Sequence, residues 1–194
     1  FGSGGRFIGE KVAKKLGIAY YDKNIINDIA EKSGLSPEYV QKNAELSPKK
    51  GLFAYAFAGR DITGKSVEDM VYEAQRKVIL ELADKESCVI IGRNADYILK
   101  DTEGIQLVRA FIYAPNDVRV HNIMESHNLS EKDAKLLLDE KDKRYHKRHL
   151  ALTGSNRGDR HNRDILINSD FLGIQGTAEY LEDLITKKYG KKEA

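Results

Sequence analysis

The stretch Gly2-Ser3-Gly4-Gly5-Arg6 has the residue types and spacing to hold a phosphate. Its glycines let a tight loop aim several backbone N–H groups at one spot. Ile8, Val12, Ala13 and Leu16 then recur at helical spacing, with Gly17 where a C-terminal cap belongs. A glycine loop opening onto a helix N-terminus is an anion site, because unsatisfied amides and the helix dipole favour negative charge there. A flexible glycine-rich tail would carry the same letters.

A second stretch competes for the same chemistry. Gly59-Arg60-Asp61-Ile62-Thr63-Gly64-Lys65-Ser66 matches the phosphate-loop pattern letter for letter, whereas Gly2 to Gly9 does not. Lys65 would reach terminal phosphates and Ser66 would bind magnesium. The preceding Leu52 to Ala58 is rich in alanine, however, and suits a helix as readily as a strand.

Charge is unevenly spread in this chain of net charge +2. Lys141, Lys143, Arg144, Lys147, Arg148, Arg157, Arg160 and Arg163 face only Asp142 and Asp159. That block expects an anionic partner. A bare solvated helix face, or a nucleic-acid surface, is the competing reading; little aromatic interleaving argues against the latter. His146, His149 and His161 read as surface residues. No Cys/His cluster has metal-ligand spacing, and Cys88 sits in an apolar run as a packing residue.

The elements that must position these groups alternate between strand and helix. Ile18 to Tyr21 is a short apolar strand, after which Asp22 is expected to cap a helix bearing Ile25, Ile26, Ile29 and Ala30. Ser36-Pro37 starts another helix, and Ser66 to Asp69 resembles a capping box for a longer one through Val71, Ala74, Val78 and Leu82. Cys88 to Ile91 is a strand without a polar face, ending at Gly92-Arg93-Asn94. Leu107 to Tyr113 and Asp164 to Asn168 are further strands, with helices starting at Pro115 and Ser130. Tyr180, Leu181, Leu184 and Ile185 should face inward from the last helix, before a solvated lysine-rich tail. The pattern predicts one α/β domain with a mainly parallel sheet. Ligands in such folds sit beyond the carboxyl ends of strands, here the glycine loop, Asp22, Arg93 and Asn94. Length and 41% hydrophobic content suit a single domain with a proper core, and no apolar run or leader pattern departs from a cytoplasmic protein.

With these residues in view, the chain resembles the cytidylate kinase-like family, relatives of the nucleoside monophosphate kinases. The resemblance rests on Phe1-Gly2-Ser3-Gly4-Gly5-Arg6, Tyr21-Asp22-Lys23, Ala30 to Ser36, Cys88 to Leu99, Asp142-Lys143-Arg144, Thr153-Gly154 and Asn168-Ser169. It implies a P-loop NTPase-like parallel sheet flanked by helices, with an acceptor-binding insertion at about 22–85 and a lid at about 141–163. A strand ahead of the glycine loop, outside the sequence given, is also implied. The family has no phosphate loop near Arg60 to Ser66, so the resemblance favours the loop at Gly2.

The implied chemistry is transfer of the ATP γ-phosphoryl group to a nucleoside monophosphate, CMP first, with Mg2+. Gly2, Ser3, Gly4 and Gly5 would hold the ATP phosphates with Arg6 as the nearest cation; Asp22, Arg93 and Asn94 would face the acceptor. Arg144, Arg148 and Arg157 would belong to the lid, with Arg6, Arg144 and Arg148 carrying catalysis. The chain departs from the family at telling places. Gly5 stands where the kinase lysine is expected, Phe7 where the magnesium-binding hydroxyl is, and Ile91 and Asn94 where aspartates flank Gly-Arg. A nucleotide-binding regulator without kinase activity is therefore the alternative.

Overall fold

The computed structural model describes residues 1–43 and 67–190. The second phosphate-loop pattern, the apolar run before it, the Ser66 cap and the last four residues lie outside them.

Helix α1 (Gly5–Leu16) forms where the apolar spacing predicts it and buries Ile8, Val12 and Ala13. Gly17 ends it at φ 64°, its N–H reaching the carbonyls of Ala13 and Lys14. Strand β1 (Ala19–Tyr21) follows, then a 3-10 turn and helices α2 (Ile26–Ser33) and α3 (Pro37–Asn43). Helix α4 (Val67–Lys85) leads to β2 (Cys88–Ile90) and the short α5 (Ala95–Ile98). The rest comprises β3 (Ala110–Tyr113), α6 (Asn116–His127), α7 (Glu131–Thr153), β4 (Ile165–Asn168) and α8 (Ser169–Tyr189). Strand β3 starts three residues later than the apolar run suggests.

The strands form two parallel pairs. β1 lies beside β2 with Tyr21 opposite Ile90, and β3 beside β4 with Tyr113 opposite Asn168. Helix α1 packs against both β2 and β3, so it spans the two pairs. Its approach to β2 is close: a Cβ on Gly9 would stand 3.3 Å from Val89 Cγ1 and nearer still to the tip of Ile91. On its other side Ile8 and Val12 meet Ala178 and Leu181 of α8. A second core joins α2, α3, α4 and α5 through Ile29, Val40, Val78 and Ile79, and a third joins α6 to α7 through Ile123 and Leu138. The α/β class with parallel strands flanked by helices is as expected.

Three local expectations are corrected. Asp22 does not cap α2; a 3-10 turn at Lys23–Ile25 intervenes and the Asp22 side chain makes no capping bond. Tyr180 is exposed, whereas Leu181 beside it is buried and Leu184 and Ile185 are half-buried. His149 is not a surface residue but is 4% exposed. Ser130 does cap α7, its hydroxyl accepting from the Asp133 N–H at 3.2 Å. Cys88 is half-buried, and burial with the Glu86 charge pushes its thiol up, which keeps it protonated and inert. Among the described residues no helix is long and apolar enough to cross a membrane.

Candidate active site

The glycine loop is held with its carbonyls turned into the protein. The Phe1 carbonyl accepts from Arg119 Nε at 2.7 Å, Gly2 from Asn122 Nδ2 at 2.8 Å, and Ser3 from Ser169 Oγ at 2.7 Å. The Gly4 carbonyl accepts the first turn's Ile8 N–H at 3.0 Å. Positive φ at Gly2 (79°) and Gly4 (74°) makes this winding possible. Gly4 is the N-cap of α1, no side chain caps that end, and its first turn has no acidic residue. The amides that begin α1 are thus left to an anion.

Ser3 is a latch within this arrangement. Its hydroxyl is buried and donates to the Ile112 carbonyl at 3.0 Å, so only its amide remains for a ligand. Ser169 Oγ also lies 3.1 Å from the Tyr113 carbonyl, which moors the loop at the carboxyl ends of β3 and β4. A break in α8 at Gly173 (φ 65°, ψ 177°) sets Ile174 against Gly4.

Arg6 and Asp22, expected on opposite sides of the site, meet directly: Arg6 Nε lies 2.5 Å from Asp22 Oδ2. The Arg6 side chain is half exposed and that of Asp22 mostly covered. The pair spans from the first turn of α1 to the end of β1.

Beyond β2 the chain makes a turn of three successive left-handed residues, Gly92 (φ 68°), Arg93 (φ 53°) and Asn94 (φ 52°). The Ile91 N–H donates to the Tyr21 carbonyl at 2.8 Å, which sets this turn beside Asp22 at one edge of the sheet. The Arg93 carbonyl accepts from Gln75 Nε2 at 2.9 Å, and Asn94 Oδ1 lies 3.1 Å from His149 Nδ1. Asp96, on the first turn of α5, is ion-paired with Arg163.

The arginines expected in a lid occupy a continuous helix and the loop after it. Arg148 is buried in α7, and Arg144, partly exposed, lies 3.9 Å from Glu140. The Arg157 guanidinium stands over the rings of Phe111 and Tyr145 at 5.3 and 5.4 Å. Burial pulls its pKa down, against the attraction of Asp142. Arg157 therefore lies by the Arg119–Asp142 pair that braces the glycine loop.

Arg119, Asn122, Ser169, Gln75 and His149 take part in the site without having been singled out for it. Arg119 and Asn122 share one face of α6 by their i, i+3 spacing, which is the one local signal they carry. Gln75 and His149 are recruited by packing alone.

The brace has a consequence for acid stability. Arg119 grips both Asp142 oxygens, at 2.7 and 2.8 Å. Burial pushes the Asp142 carboxyl up, but the Arg119 hydrogen bond and charge outweigh it and hold the group below the ordinary carboxylate range. A lowered folded-state pKa contributes stability above the unfolded value, near about 4, and loses it as pH falls through the folded value. Asp142→Asn is expected to flatten the acid limb of the stability curve. At neutral pH it should cost about 1 kcal/mol after solvent screening, about 2–4 °C in Tm. Thermal melts from pH 3 to 7 test this, and an unchanged acid limb would contradict it.

Among the described residues no group of three or more His, Cys, Asp or Glu side chains is placed to hold a metal ion. Phe7, at the position the resemblance gives to a hydroxyl ligand, is an exposed ring. A protein-held Mg2+ is a poor fit to this donor set. An ion carried in by nucleotide phosphates and water fits it better.

The chain is similar to several known proteins. The cytidylate kinase of Pyrococcus horikoshii is 26% identical over 177 residues, spanning 90% of this chain and 79% of that one. The cytidylate kinase of Thermoplasma volcanium is 25% identical over 172 residues, spanning 88% and 80%. A crystal structure of an uncharacterized protein from Eubacterium ventriosum matches with a TM-score of 0.65 at 26% identity, covering 99% of this chain and 94% of that one. The family profile itself matches residues 1–171 and so takes in the glycine loop, the turn after β2 and the arginine helix: the chain belongs to the cytidylate kinase-like family.

Proposed function

We propose that this protein transfers the γ-phosphoryl group of ATP to a nucleoside monophosphate, with CMP the first acceptor to test. The observation that carries the reading is the glycine loop, whose carbonyls are all bonded inward while the first amides of an uncapped helix are left to an anion. Its homologues' names and family support a nucleotide kinase.

In this reading the amides from Gly4 onward and the Arg6 guanidinium hold the ATP phosphates. Asp22 orients Arg6 through their ion pair and faces the acceptor beside Arg93 and Asn94. Arg144, Arg148 and Arg157 form the cationic wall that closes over the transferring group, a task that guanidinium forks suit. Mg2+ carried on the nucleotide would supply charge neutralisation at its phosphates, with no described side chain holding it. Of the basic block, Arg148, Arg157 and Arg163 are turned inward, which leaves fewer cations for a phosphodiester backbone and disfavours the nucleic-acid reading.

A coupled assay against a panel of nucleoside monophosphates tests the proposal. Monophosphate-dependent ADP release is expected. ATP binding without turnover of any acceptor would replace it with the regulatory reading, which the departures at Gly5 and Phe7 favour. Lys65→Ala should change the ATP Kd by less than about twofold, because the donor site is at α1. A large loss of ATP affinity would move that site to the second glycine pattern.

A further inference from the structure

The turn after β2 is conformationally expensive. Left-handed backbone is natural for Gly92 but costs roughly 1 kcal/mol at a residue such as Arg93, and less at Asn94, whose type visits this region most readily. Such turns persist where their surroundings over-determine them. Here two side chains from distant elements do so. Gln75, on α4 and wholly buried, donates Nε2 to the Arg93 carbonyl, and His149, on α7, meets Asn94 Oδ1.

Asn94 sets its Oδ1, and not its amide nitrogen, toward His149. Burial, the largest influence on His149, lowers its pKa and keeps the ring neutral. One ring nitrogen then donates and the other accepts. Asn94 Oδ1 can only accept, so in this arrangement Nδ1 carries the proton and donates to it, and Nε2, 3.4 Å from Ser155 Oγ, is the accepting nitrogen. The Asn94 amide nitrogen is thereby turned away from His149. Among the described residues it is a buried donor with no partner, and Gln75 Oε1 beside the same turn is a buried acceptor with none. Unsatisfied buried polar atoms cost free energy and call for a reason.

We propose that Gln75 and His149 are positioning residues that clamp this turn so that Asn94 presents its amide N–H to a hydrogen-bond-accepting atom of the acceptor nucleotide. The proposal rests on the kinase reading, since it needs a monophosphate at this edge of the sheet. The clamp couples acceptor recognition to α7, the helix that carries Arg144 and Arg148.

Titration calorimetry of the full chain with CMP and the other nucleoside monophosphates, and separately with ATP, tests it. His149→Leu and Asn94→Gly should each weaken monophosphate binding by about tenfold and leave ATP within about twofold. The double variant should be no weaker than the poorer single one, because both changes remove the same contact. His149→Asn, which returns an N–H donor near the Nδ1 position, should recover most of the loss. Asn94→Gly keeps the backbone conformation available and so guards against His149→Leu failing to fold. Monophosphate binding unaltered in both variants, or additive losses in the double variant, would overturn the proposal alone. Failure of the parent protein to bind any monophosphate would overturn the kinase reading and the proposal with it.

Discussion

Gly2→Ala is expected to lower kcat/KM for ATP by about 100-fold, while Gly17→Ala leaves it within about twofold. Both glycines have positive φ, 79° and 64°, so both substitutions carry a conformational cost of about 1 kcal/mol. Their surroundings differ. Among the described residues a Cβ on Gly17 meets nothing within 4 Å, whereas one on Gly2 would stand 2.8 Å from the backbone oxygen of Arg119. A helical backbone atom does not yield, so the loop must move, and with it the Gly2 carbonyl bonded to Asn122. A displacement on the ångström scale is enough to misalign a donor phosphate for in-line transfer. Steady-state kinetics against ATP, with melts to separate stability from activity, decide the matter. Parent-like kinetics in Gly2→Ala would mean that the phosphates sit elsewhere.

The contrast between these two glycines also explains what could be read from the sequence. Gly17 ends a run of Ile8, Val12, Ala13 and Leu16, and a cap at the end of an amphipathic helix is a local pattern. The strand end at Tyr21 and the Ser130 cap are local in the same sense, and β2 ends at Ile90, one residue short of the Ile91 that the apolar run suggests. What holds the loop is not local. Arg119, Asn122 and Ser169 reach it across more than a hundred residues, through the docking of α6 and α8. Asp22 looked like a cap because it precedes an apolar helix, yet Arg6 takes its carboxylate once α1 and β1 are side by side. His149 looked exposed because periodicity counts apolar residues. Toward its end α7 buries Arg148 and His149 instead, and polar burial depends on partners that only the fold supplies.

Arg93→Ala is expected to raise the acceptor KM about 100-fold and to leave the ATP KM within about twofold. A guanidinium fork on a phosphate makes two charge-assisted hydrogen bonds, and losing them costs about 3 kcal/mol, about two decades in affinity. The backbone is a fair control here. Alanine at φ 53° carries much the same left-handed penalty as arginine, and the Gln75 bond is to a main-chain carbonyl that alanine retains. The turn should therefore survive the substitution, and the loss reports on the side chain. Arg93→Lys keeps the charge but not the fork, so a loss of about tenfold should remain. Arg6→Ala should give the opposite split, raising the ATP KM more than the acceptor KM, because Arg6 belongs to the first turn of α1. The two arginines stand on different elements, Arg93 beyond β2 and Arg6 on the helix that packs against it. If Arg93→Ala impaired both substrates equally, its guanidinium would be holding the sheet edge together rather than reading the acceptor, and the division of the site between α1 and the β2 turn would fail.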